Sequence, residues 1–168
     1  MVRSGNDARP DSFVDVTASR RAECFDDVRR RLHALPAQLS AEIESPRGSF
    51  TKVRSDGRVD FVSPIPVPYN YGFVPGRTGG DGDPLDAIVL GPRLERGQRT
   101  HATVLGLVGF VDGGAVDDKV VLGTAPLELR WRLSLRGFFV AYTRFKRALA
   151  LARNDDGQTR FVGLAVRR

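Results

Sequence analysis

The chain has 168 residues, of which 41% are hydrophobic and 27% charged, and carries a formal net charge of +6. That length suits one domain with a real core and is too short for two comfortable ones; the composition is that of a soluble globular protein. A single cysteine, Cys24, excludes an intrachain disulfide and fits a reducing, cytoplasmic setting, and no apolar run approaches the length of a membrane-crossing helix.

The charge is unevenly placed. Residues 130–168 hold ten basic and two acidic side chains, whereas residues 41–129 hold nine basic and twelve acidic. An acidic middle therefore lies inside a basic protein. The basic C-terminal region could bind nucleic acid or an anionic surface, or it could be a solvated helix face in an arginine-rich chain; the sequence favours the second. Arginine outnumbers lysine 23 to 3, the lysines being Lys52, Lys119 and Lys146.

In chain order, residues 1–18 are polar, with glycine and proline, and read as a flexible N-terminal tail ahead of one domain over 19–168. Residues 22–39 carry Phe25, Val28, Leu32 and Leu35 at helical spacing, with Ser19 as a possible N-cap and Pro36 as the end or a kink. A short strand begins over 41–44. Residues 50–53 and 59–62 flank the turn signal Ser55-Asp56-Gly57-Arg58 and predict a hairpin. Pro64, Pro66 and Pro68 then forbid a central hydrogen-bonded strand and predict an extended edge segment. Strands are expected over 103–111 and 120–122. An amphipathic stretch over 127–135 precedes a helix over 138–153 that places Phe138, Phe139, Tyr142, Phe145 and Leu149 on one side. Residues 154–157 stop that helix, and 160–166 form a last strand. The pattern alone gives a β-rich α+β domain.

The chemistry concentrates in YNYGFVPGRTGGDGDPLDAIVL, residues 69–90. Asp81, Asp83 and Asp86 are separated by glycines and Pro84, so the piece is a loop between strands, not a helix. Carboxylates crowded in this way repel one another unless protons or cations intervene, and an all-oxygen cluster suits a hard divalent cation, Mg2+ above all where a phosphate shares the site. A solvated turn would use the same residue types. Downstream, Asp112, Asp117 and Asp118 lead into Lys119, and they too would serve as a surface turn.

The Asn-Tyr-Gly-Phe run followed by Asp-Gly-Asp-Pro-Leu-Asp resembles the signature of the soluble, Mg2+-dependent inorganic pyrophosphatases. The resemblance is good over 41–119 and weaker to 166. It implies a small closed OB-like β-barrel with peripheral helices, and hydrolysis of inorganic pyrophosphate to two phosphates. It implies metal ligation by Glu44, Asp81, Asp86, Asp112 and Asp117, with Asp83 taking the proton from the attacking water. Lys52, Lys119, Tyr71 and Tyr142 fall on its substrate-binding positions. A homo-oligomer is the family's usual state.

Four positions depart from that pattern. Arg54 stands for a glutamate, Val59 for an arginine, Val67 for a tyrosine and Thr143 for a lysine. The family's last helix has no counterpart, and the first helix is not its usual start. Arg54 could replace the lost arginine in binding substrate, and Arg144 or Arg147 the lost lysine. Alternatively, the same metal site serves another phosphoanhydride or a phosphate ester. A third reading, an OB-type nucleic-acid-binding module, draws on the basic C-terminal region, Trp131 and Phe138/Phe139, but clustered aspartates argue against it.

Overall fold

The computed structural model describes residues 24–53, 59–62, 66–152 and 158–167, with only the backbone described over 51–53 and 59–62. The expected tail, the boundary at 18/19, the turn at 55–58 and the stop at 154–157 lie outside the described residues.

Helix α1 spans Phe25–Ala34, shorter at both ends than the expected stretch. Its N-cap is Cys24, not Ser19: the Cys24 backbone N–H donates to Asp27 Oδ2 at 3.1 Å, and Asp26 and Asp27 put negative charge on the first turn. It ends because Leu35 precedes a proline and is driven to extended backbone, φ −75° and ψ 148°. The two carbonyls freed there, of Leu35 and Pro36, accept hydrogen bonds from the Arg167 guanidinium at 2.8 and 2.7 Å.

Released from the helix, the chain enters β1 (Gln38–Ser45), three residues earlier than expected. The predicted hairpin forms from β2 (Thr51–Val53) and β3 (Val59–Val62). Residues 66–69 do not join the sheet, as the prolines require, but Val67 exchanges backbone hydrogen bonds with Gly48 and Ser49. Then come β4 (Asn70–Thr78), β5 (Pro84–Val89), the long β6 (Arg99–Asp112), β7 (Ala115–Val116) and β8 (Lys119–Gly123). The two amphipathic stretches expected around Gly137 are one helix, α2 (Leu129–Ala152), and β9 (Arg160–Val166) closes the described chain.

Five strands close on themselves in the order β1-β4-β5-β8-β6, with β6 returning to β1. The β5–β8 contact is parallel and the others antiparallel, so the expected small barrel is observed, with α1 and α2 outside it. Gly72, in the Tyr-Gly-Phe run, lets β4 approach β1: a Cβ there would lie 1.8 Å from the Glu42 carbonyl oxygen.

Four of the barrel strands, β4, β5, β6 and β8, serve two cores. Leu107, Val120 and Leu122 pack with Ala41, Ile43 and Val89, joined by Val28 and Leu32 of α1. On the opposite faces Val108, Phe110 and Val121 pack with Leu135 and Phe139 of α2. Strands covered on both faces read as unbroken apolar runs, which is why 120–122 and 104–110 lack alternation. Tyr69, Phe110, Phe138, Phe139, Tyr142 and Phe161 form a chain of edge and stacked contacts at 5.3–6.3 Å. They build a core rather than a stacking platform.

Candidate active site

The acidic loop leaves β4 at Thr78 and re-enters the barrel at Pro84. It is held by its own backbone: the Gly79 N–H donates to the Asp83 carbonyl at 2.7 Å, and Asp81 Oδ1 accepts from the Asp83 N–H at 3.1 Å. Asp81 and Asp83 are exposed on it. Asp86 lies two residues into β5, where the parallel register pairs it with Lys119 at the start of β8.

That register explains the centre of the site. Lys119 is buried, and its ammonium donates to Asp86 Oδ2 at 2.8 Å, to the Asp117 carbonyl at 2.8 Å and to the Asp117 carboxylate. Burial opposes its charge, but the two carboxylates outweigh it, so the Lys119 pKa lies above the ordinary lysine value. The Tyr71 hydroxyl donates to Asp86 from the facing strand β4. Burial above all, then the Asp86 and Asp117 charges, hold this phenol far above its usual pKa, so it stays protonated. Asp117 is pushed up to about 6, first by burial and also by the charges of Asp86 and Asp81, with Lys119 opposing. Two carboxylates thus share one buried ammonium.

Asp112 ends β6 on the other side of a tight turn through Gly113 and Gly114. Its Oδ1 accepts from the Thr159 hydroxyl at 2.8 Å, and its Oδ2 from the ammonium of Lys146 on α2. These donors outweigh partial burial and lower its pKa. Tyr142, one turn before Lys146, stacks on Phe138 with ring centroids 6.0 Å apart and lies near enough to Tyr71 to raise its pKa further.

Among the described residues no three acidic or imidazole side chains converge on one point. Lysine ammonium groups stand against Asp86, Asp117 and Asp112 instead, which shows that these oxygens attract cations. Glu44 is half-buried at the irregularity where β1 crosses from β4 register Ile43–Gly72 to Ser45–Tyr71. Lys52 pairs with Phe61 in the hairpin, and its side chain and Arg54 lie outside the described residues.

Two residues of the acidic turn separate cleanly. Asp117 faces the lysine, whereas Asp118, 5% exposed, accepts from the Phe110 N–H at 3.3 Å and from Arg31 Nε at 2.7 Å. It docks α1 and closes the turn. Of the arginines expected to stand in for the lost lysine, Arg147 Nε donates to the Thr159 carbonyl at 2.8 Å and Arg144 is exposed, while the α2 cation bonded to a site carboxylate is Lys146. An i,i+4 reading from Tyr142 along the helix would have found it.

The sequence model of the inorganic pyrophosphatase family matches residues 41–128, more than half of the chain and the stretch that carries β1 to β8. The chain belongs to the inorganic pyrophosphatase family. Over 94 residues it is 37% identical to the soluble inorganic pyrophosphatase of Oryza sativa, covering 51% of this chain and 44% of that protein. Over 86 residues it is 40% identical to the inorganic pyrophosphatase of Haemophilus influenzae, covering 46% and 49% respectively. The chain thus spans about half the length of these pyrophosphatase relatives. The crystal structure of the Thermus thermophilus inorganic pyrophosphatase superposes with a TM-score of 0.65 at 27% identity, over 79% of this chain and 84% of that one. That of the Neisseria gonorrhoeae inorganic pyrophosphatase gives 0.58 at 26%, over 77% and 83%. The family match begins after α1, and the positions where the chain departs from the pattern include Thr143 on α2, outside the matched stretch.

Proposed function

We propose that this pyrophosphatase-family chain hydrolyses inorganic pyrophosphate to two phosphates in a Mg2+-dependent reaction. The observation that carries the reading is the convergence of Asp86, Asp117, Lys119 and Tyr71 from β4, β5 and β8 at one end of the barrel, within the stretch the family matches. The donor set fits a hard divalent cation: the oxygens are carboxylates, and burial, with the charges of Asp86 and Asp81 added, raises the Asp117 pKa to about 6.

Glu44, Asp81, Asp86, Asp112 and Asp117 would hold Mg2+. When bound, the metal supplies Lewis-acid activation of water and neutralises phosphoryl charge. Asp83, exposed at the loop tip, takes the proton of the attacking water on a carboxylate oxygen. Lys52, Arg54, Lys119, Tyr71 and Tyr142 bind phosphoryl oxygens, with Tyr71 donating because its hydroxyl stays protonated. Phosphoryl transfer asks chiefly for positioning and charge neutralisation, and this set of carboxylates and cations provides both.

A second reading keeps the site and changes the substrate to another phosphoanhydride or a phosphate ester. It is favoured by Val67 in place of a tyrosine and by Thr143, whose side chain is buried rather than aimed at the site. A cytoplasmic enzyme suits the free thiol of Cys24. Self-association is supported by Leu129, Leu133 and Leu151 exposed along α2. No helix among the described residues is long and apolar enough to cross a membrane.

Phosphate release from pyrophosphate, with and without Mg2+, beside an Asp83→Asn variant, tests the reading. Mg2+-dependent turnover that falls at least about a hundredfold in the variant is expected. A folded, Mg2+-binding protein without turnover on pyrophosphate overturns it and leaves the second reading to a panel of phosphorylated substrates.

A further inference from the structure

We propose that Lys146 is a further substrate-binding cation of this chain, moved one helical turn along α2 from the position after Tyr142 where the family pattern has its lysine. The inference deepens the pyrophosphatase reading and rests on it for the identity of the anion.

The position after Tyr142 cannot serve. Thr143 is 8% exposed, and its hydroxyl donates to the Phe139 carbonyl at 2.7 Å, inside the packing of α2 on the barrel. Side chains four residues apart on a helix share a face, so a lysine four residues after Tyr142 looks out where Tyr142 does. Lys146 Nζ lies 5.9 Å from the centre of the Tyr142 ring and donates to Asp112 Oδ2. The neighbouring cations are otherwise placed: Arg147 is tied to the Thr159 carbonyl, and Arg144 is exposed.

Three features separate Lys146 from an ordinary ion pair. Its side chain is 32% exposed, against 4% for Lys119, so it reaches solvent and can be redirected toward an incoming anion without unburying charge. It is one of three lysines among 26 basic residues, and a second, Lys119, is already at the site. A compact ammonium approaches a phosphate crowded by other cations where a guanidinium fork does not fit. Its partner Asp112 has a second donor, Thr159, so the carboxylate stays oriented when the ammonium leaves it. A divalent cation on Asp112 and the ammonium of Lys146 compete for the same oxygen. A divalent cation held on Asp112 would leave Lys146 beside Tyr142 to bind phosphoryl oxygens.

The competition gives a test with two signs. Lys146→Gln should tighten Mg2+ binding to the full chain, measured by calorimetry without substrate, because a competing cation is gone. The same variant should weaken inorganic phosphate binding to the Mg2+-loaded protein by roughly tenfold or more, the loss expected for one hydrogen bond to a charged group. In turnover it should raise KM for pyrophosphate more than it lowers kcat. Adding Thr143→Lys to the variant should not restore phosphate binding, since position 143 faces the core, whereas Lys146→Arg should recover it in part. Arg144→Gln, an equal charge change on the exposed side of α2, should shift neither constant. A Lys146→Gln protein that binds Mg2+ and phosphate as the parent does, with only its melting temperature changed, overturns the proposal. If the parent protein turns over no pyrophosphate, that failure belongs to the pyrophosphatase reading, and the two calorimetric constants still decide the role of Lys146.

Discussion

Asp117 and Asp118 are adjacent, and the difference between them lies in the charges each meets. Asp118 is spent on the fold, bridging Phe110 and Arg31, while Asp117 shares the Lys119 ammonium with Asp86 and feels the charges of Asp86 and Asp81. Burial, reinforced by those carboxylates, raises the Asp117 pKa from 3.8 in the unfolded chain to about 6. A carboxyl with a raised folded-state pKa binds its proton more tightly when folded. Its contribution to stability is therefore greatest below pH 4 and declines as pH rises from about 4 to about 6, the reverse of an ordinary salt-bridged aspartate. In metal-free protein, wild type should accordingly lose stability relative to Asp117→Asn between pH 4.5 and 7, by about 2 kcal/mol for a shift of this size. Melting both proteins in chelator across that range measures it. A difference between the two that stays constant with pH would show that Lys119 neutralises Asp117 fully.

At the scale of elements, α2 shows packing overriding propensity. Gly137 is exposed in the middle of the helix, and nothing lies within 4 Å of where its Cβ would be. A glycine there costs a helix about 0.5–1 kcal/mol against alanine, which is why the local pattern breaks at this point. The helix runs through because Leu135, Phe138, Phe139 and Tyr142 on either side all belong to one cluster against Phe110 and Val121. Gly137→Ala should therefore stabilise the protein by about 0.5–1 kcal/mol with unchanged catalysis, read from urea midpoints at constant slope; a loss of stability would mean that α2 needs a bend there. The same balance explains what the sequence made legible. Strands and the acidic loop were marked by apolar runs and by glycine and proline, which act locally. Barrel closure was legible only through the family resemblance, because the β5–β8 and β1–β6 pairings join residues far apart in the chain. Motif spacing pointed to Asp86, Asp117 and Lys119, which the register of β5 and β8 brings together. It could not point to Lys146, whose place depends on a helical face rather than on a motif, nor distinguish Asp118 as the anchor of α1.

Across the whole molecule, the two cores share their strands. Leu32 of α1 seals the cluster that reaches Leu107, Val120 and Leu122, and Phe139 of α2 seals the one that reaches Val108, Phe110 and Val121. Alternate residues of β6 and β8 thus belong to different cores, and neither core can open without disturbing the strands that hold the other. Helix α1 is bound into this unit although the family match begins after it: Val28 sits on Gly109, where an added Cβ would come within 2.4 Å, and Arg31 and Arg167 tie the C-terminal end of the helix to the barrel side. Leu32→Ala should cost about 2–5 kcal/mol and Phe139→Ala about 3–5, each removing a side chain at most 2% exposed. Both should unfold in one transition, with near-UV and far-UV circular dichroism coincident, because the shared strands couple them. Residues 32 and 139 belong to separate clusters, so the double variant's loss should be near the sum of the two within about 0.5 kcal/mol. That sum reaches the total stability of a domain of this size, about 5–15 kcal/mol, so the double variant should sit at the edge of unfolding at room temperature. Two resolved transitions in either single variant, with α1 lost before the barrel, would show instead that α1 is an appendage, and that the Arg31–Asp118 contact orders the helix without supporting the site.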